Sequence, residues 1–173
     1  MLTIDSQIWI YYIDSHALEN NNVIKFLEGE NDDGILFTKK IILNPLIPVE
    51  VAHNLLIHPE LDKNIIYQYL TTIFNSENIS ISNLDKNHMI DAFTLLLNYR
   101  ERGIGGRDAL ILATMSKNSI ETIVTHDKNI LMLSELNRID PVFDPPYILK
   151  KGEKFDQEEF KRQLTFIKED FKS

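Results

Sequence analysis

The 173-residue sequence contains no cysteine, and glycine and proline are scarce at six residues each. Without cysteine, the protein has neither a disulfide framework nor a thiolate metal site. This composition fits the cytoplasm, which is the location we predict. No apolar run approaches the roughly 18 residues of a membrane-spanning helix. The first apolar stretch has acidic flanks instead of a basic leader, so we expect neither a signal peptide nor a membrane partner.

Basic residues are also in the minority, with 18 Lys and Arg against 26 Asp and Glu and a formal net charge of −8. A protein that holds nucleic acid through its overall charge would be basic. Any contact with nucleic acid must therefore be local or depend on bound cations. Hydrophobic residues make up 43% of the chain, which is enough for one compact domain with a real core.

Strand-like and helical segments alternate along most of the chain. Strands are predicted at 2–4, 79–81, 122–124 and 139–143, with further strand-like residues within 35–43. Helices are predicted at 6–14, 17–27, 48–57, 65–74, 85–100, 107–115 and 127–136. This alternation predicts an α/β domain with a largely parallel sheet.

The helix predicted over 85–100 has Asp85 as its N-cap. Its spacing of apolar residues predicts an inner face that packs on the core. The predicted inner-face residues are Met89, Ile90, Phe93, Leu96 and Leu97.

A change of composition follows Pro141, Pro145 and Pro146. We predict a domain over residues 1–143, followed by a linker and a C-terminal amphipathic helix within 144–173. That helix is predicted from Phe155 to Lys172. Its apolar stripe has three possible roles, which are packing on the core, covering a groove and contributing to a dimer. The stripe consists of Phe160, Leu164, Ile167 and Phe171.

Four carboxylates stand where predicted elements begin or end. Asp5 follows the first strand, Glu50 lies in the first turn of a helix after Pro48, Asp108 follows a glycine-rich break, and Asp127 follows the strand 122–124. Taken singly, each acid is explained by helix capping, because a carboxylate satisfies free N–H groups and complements the helix dipole. Together they point to a site, because the carboxyl ends of parallel strands share one edge of a sheet. Four converging carboxylates would repel one another without a hard divalent cation.

The segments that carry these acids resemble the motifs of PIN-domain ribonucleases, the family of VapC-type toxins and of ribosomal-RNA processing nucleases. They read IDS at 4–6, PVEVA at 48–52, RDALILA at 107–113 and VTHDKNI at 124–130. The last two are the more specific, and the resemblance covers about residues 1–140. Two positions depart from the family pattern, where Gln7 replaces Asn or Ser and Ile130 replaces Phe.

The resemblance implies a three-layer α/β/α PIN-like domain that hydrolyses RNA phosphodiester bonds with Mg²⁺ or Mn²⁺. It implies Asp5, Asp108 and Asp127 as metal ligands, with Glu50 either ligating a second ion or orienting the attacking water. Thr125 either bonds a carboxylate or a metal-bound water, or is only a polar residue at the end of a strand. The implied partners are an RNA substrate, a protein antitoxin if the protein is a toxin, and a second copy in a homodimer.

RNA must also be held near the acids. The basic residues predicted to contact phosphates are Arg107, Lys128, Lys39 and Lys40, with Arg107 preferred because it adjoins Asp108. For each of these residues, ordinary solvated surface charge is the competing explanation.

Two other functions compete with the ribonuclease. A non-catalytic PIN-like module would bind only RNA or protein, which the negative net charge favours and the retention of all four acids opposes. A phosphatase with an aspartyl nucleophile would need a second Asp two residues after Asp5, where Gln7 stands. A toxin and an RNA-processing enzyme remain open alternatives within the ribonuclease hypothesis.

Overall fold

The computed structural model describes residues 1–58 and 61–170, with side chains described in these ranges as far as Thr165. Phe171 and Lys172 lie outside the described residues, as does the side chain of Ile167, so the predicted end of the C-terminal helix stays untested.

Short strands alternate with helices along the described chain. In order, the elements are β1 (Thr3–Ile4), α1 (Ser6–Ile13), α2 (Asn20–Glu28), α3 (Ile35–Thr38), β2 (Ile41–Leu43), α4 (Leu46–Leu56), α5 (Lys63–Phe74), β3 (Ile79–Ile81), α6 (Lys86–Tyr99), α7 (Gly106–Lys117), β4 (Thr122–Val124), α8 (Lys128–Leu131), β5 (Asn137–Asp140), β6 (Tyr147–Leu149) and α9 (Gln157–Asp170). A 3-10 turn at Arg100–Arg102 links α6 to the glycine-rich break.

The strands form a mostly parallel sheet. One group has the order β1-β4-β5-β6, in which only β6 runs antiparallel, and a second group pairs β2 with β3 in parallel. A parallel bridge between Leu2 and Ile41 joins the two groups. The order across the whole sheet is therefore β3-β2-β1-β4-β5-β6, which confirms the predicted α/β class and largely parallel sheet.

The connections that follow the two central strands, β1 and β4, run in opposite directions across the sheet. The chain passes from β1 to β2 on one side, and from β4 to β5 on the other. Because parallel crossovers are right-handed, crossovers in opposite directions place their helices on opposite faces of the sheet. The helices before β3 therefore cover one face, and α6, α7 and α8 cover the other. The point where the direction reverses lies between β1 and β4, and such a point leaves a crevice at the carboxyl ends of the strands.

The core lies on both faces of the central strands. Ile4 of β1 and Ile123 and Val124 of β4 have no exposed surface, which is typical of strands in a sheet covered by helices. Trp9 of α1 is fully buried and packs edge-on against Phe74 of α5.

The predicted inner face of α6 is largely wrong. Of its five residues only Leu96 is partly buried against the core, while Phe93 is 58% exposed and Leu97 is 77% exposed. The side that faces the core carries His88 and Ala92 instead. The small Ala92 allows α6 to pack closely along α7, so the buried stripe is narrower than the apolar stripe of the sequence.

Other predictions fail where local signals were weak. Ile35–Thr38 forms the helical turn α3 rather than a strand, and only the part after Lys40 pairs in the sheet. The helix predicted over 127–136 is observed only at Lys128–Leu131 as α8, because the chain has to turn before β5 begins at Asn137. The strand β6 lies within the segment predicted to be a linker and C-terminal helix. The predicted domain boundary itself stays a prediction.

The C-terminal part of the chain is fastened to the sheet by a buried arginine. Arg138 on β5 has no exposed surface, and its guanidinium donates hydrogen bonds to the carbonyl groups of Leu131 at 2.7 Å, Lys150 at 3.0 Å and Glu153 at 2.9 Å. Phe160 of α9 is also fully buried, with Leu131, Phe143 and Leu149. Of the roles considered for the apolar stripe of α9, packing on the core is therefore the one that Phe160 has.

Within the described ranges, no helix is both long and apolar enough to span a membrane. The cytoplasmic location stays a prediction.

We expect Arg138→Met to lower the free energy of unfolding by about 3 kcal/mol, because three carbonyl groups, that of Leu131 buried and those of Lys150 and Glu153 partly buried, lose a charged donor. Urea unfolding followed by circular dichroism measures this change. Lys151→Met, which removes an exposed ion pair with Glu121, is the control and should change stability by less than about 0.5 kcal/mol. Equal effects of the two substitutions would contradict a clamp at Arg138.

Candidate active site

The carboxyl edge at the sheet's reversal point collects the predicted acids. Asp5 directly follows β1, and its backbone N–H donates to the carbonyl of Val124 at 2.9 Å, which continues the β1–β4 pairing. Thr125 and Asp127 follow β4, which runs parallel to β1. Asp108 lies in the first turn of α7, whose start faces the same edge because α7 runs back to the beginning of β4. Glu50 comes from α4, which follows the carboxyl end of β2.

Asp5 and Thr125 are joined directly. Asp5 is 8% exposed, and its Oδ1 accepts a hydrogen bond from the Ser6 N–H at 2.7 Å as the N-cap of α1. Its Oδ2 accepts from the Thr125 hydroxyl at 2.8 Å. The same Thr125 oxygen accepts from the Asp127 N–H at 3.0 Å. One buried threonine therefore links the loop after β1 to the loop after β4, and it has the carboxylate contact considered for it from the sequence.

Asp127 and Asp108 also act as helix caps. Asp127 is the N-cap of α8, and its Oδ1 accepts from the Asn129 N–H at 2.7 Å. Asp108 Oδ2 accepts from the Gly105 N–H at 2.8 Å. Each contact uses one oxygen of a group with about four lone-pair sites, so capping leaves acceptor capacity on both side chains. The capping explanation and the site explanation are thus compatible.

Glu50 lies one turn deeper in its helix than predicted. The helix α4 begins at Leu46, before Pro48, so Glu50 is its fifth residue and belongs to the second turn. Its side chain, 18% exposed, forms an ion pair with the guanidinium of Arg107, which is 68% exposed. This pair connects α4 to the start of α7 across the site.

All four carboxylates line one cavity of about 290 Å³. Its remaining lining residues are Ser6, Gln7, Ile10, Asn54, Arg107 and Ile111. Gln7, one of the two departures from the family pattern, donates a hydrogen bond to the hydroxyl of Tyr11 at 2.7 Å. Ile130, the other departure, is fully buried in the core.

Charge and burial oppose ionisation in this cavity. Burial raises the pKa of Asp5, the hydrogen bonds from Thr125 and Ser6 lower it, and the charges of Asp108 and Asp127 raise it further. Burial likewise raises the pKa of Asp108; the Gly105 N–H lowers it, and the charge of Asp127 raises it. The net direction is upward for both groups, so these acids are close enough to destabilise one another's anionic forms.

The donor set suits a hard cation but does not form a closed cage. Among the described residues, no group of three or more His, Cys, Asp or Glu side chains is arranged to hold a metal ion. Mg²⁺ does not need such a cage, because proteins usually bind it through one or two carboxylates together with waters and a phosphate. An open cavity lined by repelling carboxylates fits this mode of binding.

The basic candidates are not all at the site. Arg107 lines the cavity, whereas the Lys128 ammonium lies 5.7 Å from the centre of the Phe160 ring, toward α9. Lys39 and Lys40 immediately precede β2, which runs parallel to β1, so they lie at the opposite edge of the sheet from Asp5. The structure thus brings only Arg107 of this group into the cavity.

A buried pair beside the site was missed from the sequence. Asp140, fully buried at the end of β5, accepts a hydrogen bond from the Val142 N–H at 3.1 Å and lies 2.7 Å from Nδ1 of His126. Burial raises the pKa of Asp140, and His126 lowers it through hydrogen bonding and charge. The reasoning that selected Asp127, an acid near the carboxyl end of a parallel strand, would have selected Asp140 had β5 been placed at Asn137–Asp140.

The fold is shared with solved structures from several organisms. Mycobacterium tuberculosis VapC20, described as a sarcin-ricin loop cleaving toxin, is 13% identical with a TM-score of 0.61, covering 74% of this chain and 91% of its own. FitAcB from Neisseria gonorrhoeae is 17% identical with a TM-score of 0.57, covering 82% and 98%. VapBC2 from Rickettsia felis, bound to a DNA fragment of its promoter, is 16% identical with a TM-score of 0.52, covering 73% and 87%. At these identities the likeness shows the fold alone.

No curated protein matches the chain in sequence. The model of the PIN domain family does match it, over residues 2–136, a range that contains all four carboxylates and Thr125. The family predicted from the four short motifs is therefore confirmed by a match over most of the chain, and the chain belongs to the PIN domain family.

Proposed function

We propose that this protein is a divalent-metal-dependent endoribonuclease. The observation that carries the proposal is the shared cavity of Asp5, Glu50, Asp108 and Asp127 at the reversal point of a PIN-domain sheet. Phosphodiester hydrolysis needs a positioned water and compensation for charge on the phosphate, and a cluster of carboxylates supplies both only together with a cation. Mg²⁺ and Mn²⁺ are the cations that such an oxygen-only donor set favours.

Each side chain has a distinct part in this proposal. Asp5, Asp108 and Asp127 bind the cation directly or through its water ligands, and Thr125 fixes the orientation of Asp5 through its 2.8 Å hydrogen bond. Glu50, farther along its helix, orients the attacking water or contributes to a second cation. A bound cation would neutralise charge that builds on the phosphate and promote ionisation of the water.

Arg107 is the proposed phosphate contact. Its guanidinium lies at the mouth of the cavity, paired with Glu50 and largely exposed to solvent. Arginine binds phosphate through parallel hydrogen bonds, so an incoming RNA phosphate would compete with Glu50 for this group. A local contact of this kind suits a chain whose net charge is −8. Lys39, Lys40 and Lys128 stay weaker candidates, because they would have to contact RNA away from the cavity.

We expect Asp108→Asn to lower the rate of RNA cleavage by roughly 100-fold or more. Loss of a residue that only supports a metal ligand costs up to about 100-fold, and Asp108 is proposed to bind the cation itself. Cleavage of a mixed pool of structured RNAs should require Mn²⁺ or Mg²⁺ and stop in EDTA. Asp62→Asn is the matched control, since Asp62 is the exposed N-cap of α5 and asparagine caps as well as aspartate.

The control variant should cleave at the wild-type rate. Metal-independent cleavage, or equal cleavage by Asp108→Asn and wild type, would refute the four-carboxylate mechanism. A folded wild type that binds RNA without cutting it would favour the alternative function, a non-catalytic module that binds RNA or protein.

Metal binding should also be visible in stability. With Mn²⁺ at about a hundred times its Kd, linkage adds about 2.7 kcal/mol, which corresponds to a rise in Tm of roughly 5–10 °C for a chain of this size. Asp108→Asn should remove most of that rise, and differential scanning calorimetry measures it. An equal rise in both proteins would mean that the cation binds elsewhere.

Without metal, Asp108→Asn should raise the Tm at neutral pH. The raised pKa of Asp108 means that the folded protein binds its proton more tightly than the unfolded chain does. Stability contributed by this group therefore falls as the pH rises above the ordinary aspartate pKa of about 4. The difference in Tm between variant and wild type should accordingly vanish when the pH drops below that value. A lower Tm for the variant at pH 7 would contradict this charge repulsion.

We further propose that the enzyme is the toxin of a toxin–antitoxin pair and that it forms a homodimer. The fold is shared with VapC20, which is described as a sarcin-ricin loop cleaving toxin. The exposed apolar face of α6, formed by Met89, Ile90, Phe93 and Leu97, supports burial against another chain. An RNA-processing role is the alternative, and it predicts no inhibitory product from a small adjacent gene.

We expect Phe93→Ser combined with Leu97→Glu to convert a dimer into a monomer, because the two substitutions place polar groups on that apolar face. Sedimentation equilibrium measures the mass of each protein. Ile148→Ser, which changes an exposed apolar residue on β6, is the control and should leave the mass unchanged. A monomeric wild type at working concentrations would contradict the homodimer.

A further inference from the structure

The turn between β4 and α8 carries two residues of the proposed site with a histidine between them. Thr125 orients Asp5, Asp127 lines the cavity, and His126 separates them in the chain. The backbone of Thr125 is tied to the sheet by its N–H bond to Ile139 at 2.9 Å. What holds the next two residues therefore decides where the Asp127 carboxylate lies.

The imidazole of His126 is held by β5, the strand that flanks β4 on the side opposite β1. Its Nδ1 is 2.7 Å from Oδ2 of the fully buried Asp140, whose other oxygen accepts from the Val142 N–H. A hydrogen bond to a buried carboxylate that has its own fixed partner allows little movement of the ring. The ring is 14% exposed and does not line the carboxylate cavity.

Aromatic rings hold the same imidazole from two elements that are far apart in sequence. Tyr11 of α1 packs edge-on at 6.2 Å between ring centres, and Phe160 of α9 lies at 5.7 Å. Phe143 adds a third ring at 6.5 Å. Asp140, Phe143 and Phe160 all follow residue 136, where the match to the family model ends.

We propose that His126 and Asp140 are positioning residues for the carboxylate site, and that α9, through Phe160, is part of their support. This inference rests on the proposed nuclease function for its consequence, because the placement of Asp127 matters most when it binds a cation. The C-terminal helix then serves the active site by fixing one turn of backbone, and none of its side chains described up to Thr165 lines the cavity.

Amide hydrogen exchange tests the placement without any metal or RNA. The Asp127 N–H bonds to the Thr125 hydroxyl, so its exchange rate reports how well the turn is ordered. In His126→Ala we expect this exchange to accelerate by about tenfold or more, and Mn²⁺ affinity and kcat to fall by roughly 10- to 100-fold with little change in KM for RNA. His126→Asn keeps an N–H donor near the position of Nδ1 and should restore most of each value.

A matched control separates positioning from general packing. Val23→Ala shortens a fully buried side chain of α2, which supplies no residue to the cavity or to the ring contacts of His126, and should lower the Tm while leaving Asp127 exchange and Mn²⁺ affinity close to wild type. Should His126→Ala fail to fold, Phe160→Leu replaces it, because it loosens the ring contact but leaves the His126–Asp140 pair in place. We expect the same changes from it in a milder form.

Three outcomes are distinguishable. Faster Asp127 exchange with weaker Mn²⁺ binding, both restored in His126→Asn, supports the inference. Values for His126→Ala that match those of Val23→Ala at equal stability overturn it and leave the pair as core packing. If wild type neither binds Mn²⁺ nor cuts RNA, the proposed function fails, while the exchange rates still decide whether the pair positions the turn.

Discussion

The parallel pairing of β1 with β4 is the constraint on which the site depends. Two strands that are far apart in the sequence lie side by side, and their connections leave in opposite directions, so the residues after them share one crevice. Asp5 and Thr125 are neighbours for that reason alone, although 120 residues separate them. The start of α7 and the second turn of α4 then complete the cavity from two different crossovers.

This arrangement sets chemistry against stability. Burial and like charge raise the pKa values of Asp5 and Asp108, so the metal-free domain would be more stable without one of these acids. Hydrogen bonds limit that cost. The Ser6 N–H and the Thr125 hydroxyl donate to Asp5, and the Gly105 N–H donates to Asp108. The remaining acceptor sites of these carboxylates are available within the cavity. A carboxylate that served only as a helix cap would not need to line a shared cavity.

Signals in the sequence were strongest where a residue's neighbours determine its structure. An acid after a short apolar strand, or two residues after a glycine break, could be placed at an element end, and all four acids do line one cavity. The inner face of α6 could not be predicted in the same way, because burial depends on which partner helix approaches and how closely. Asp140 was missed because β5 has the charged Arg138 in its centre, and only tertiary structure shows that this residue is buried.

Arg138 has a wider consequence for how the molecule unfolds. Its guanidinium bridges the end of α8 and the segment that leads into α9, while its backbone belongs to a central strand. A C-terminal helix attached only by apolar contacts could detach and rebind independently of the domain. Here, releasing the helix together with the segment that leads into it removes two of the three acceptors of a buried cation, which couples the unfolding of the helix to that of the sheet. Any motion that reached the active site from α9 would then be a small shift within the folded state.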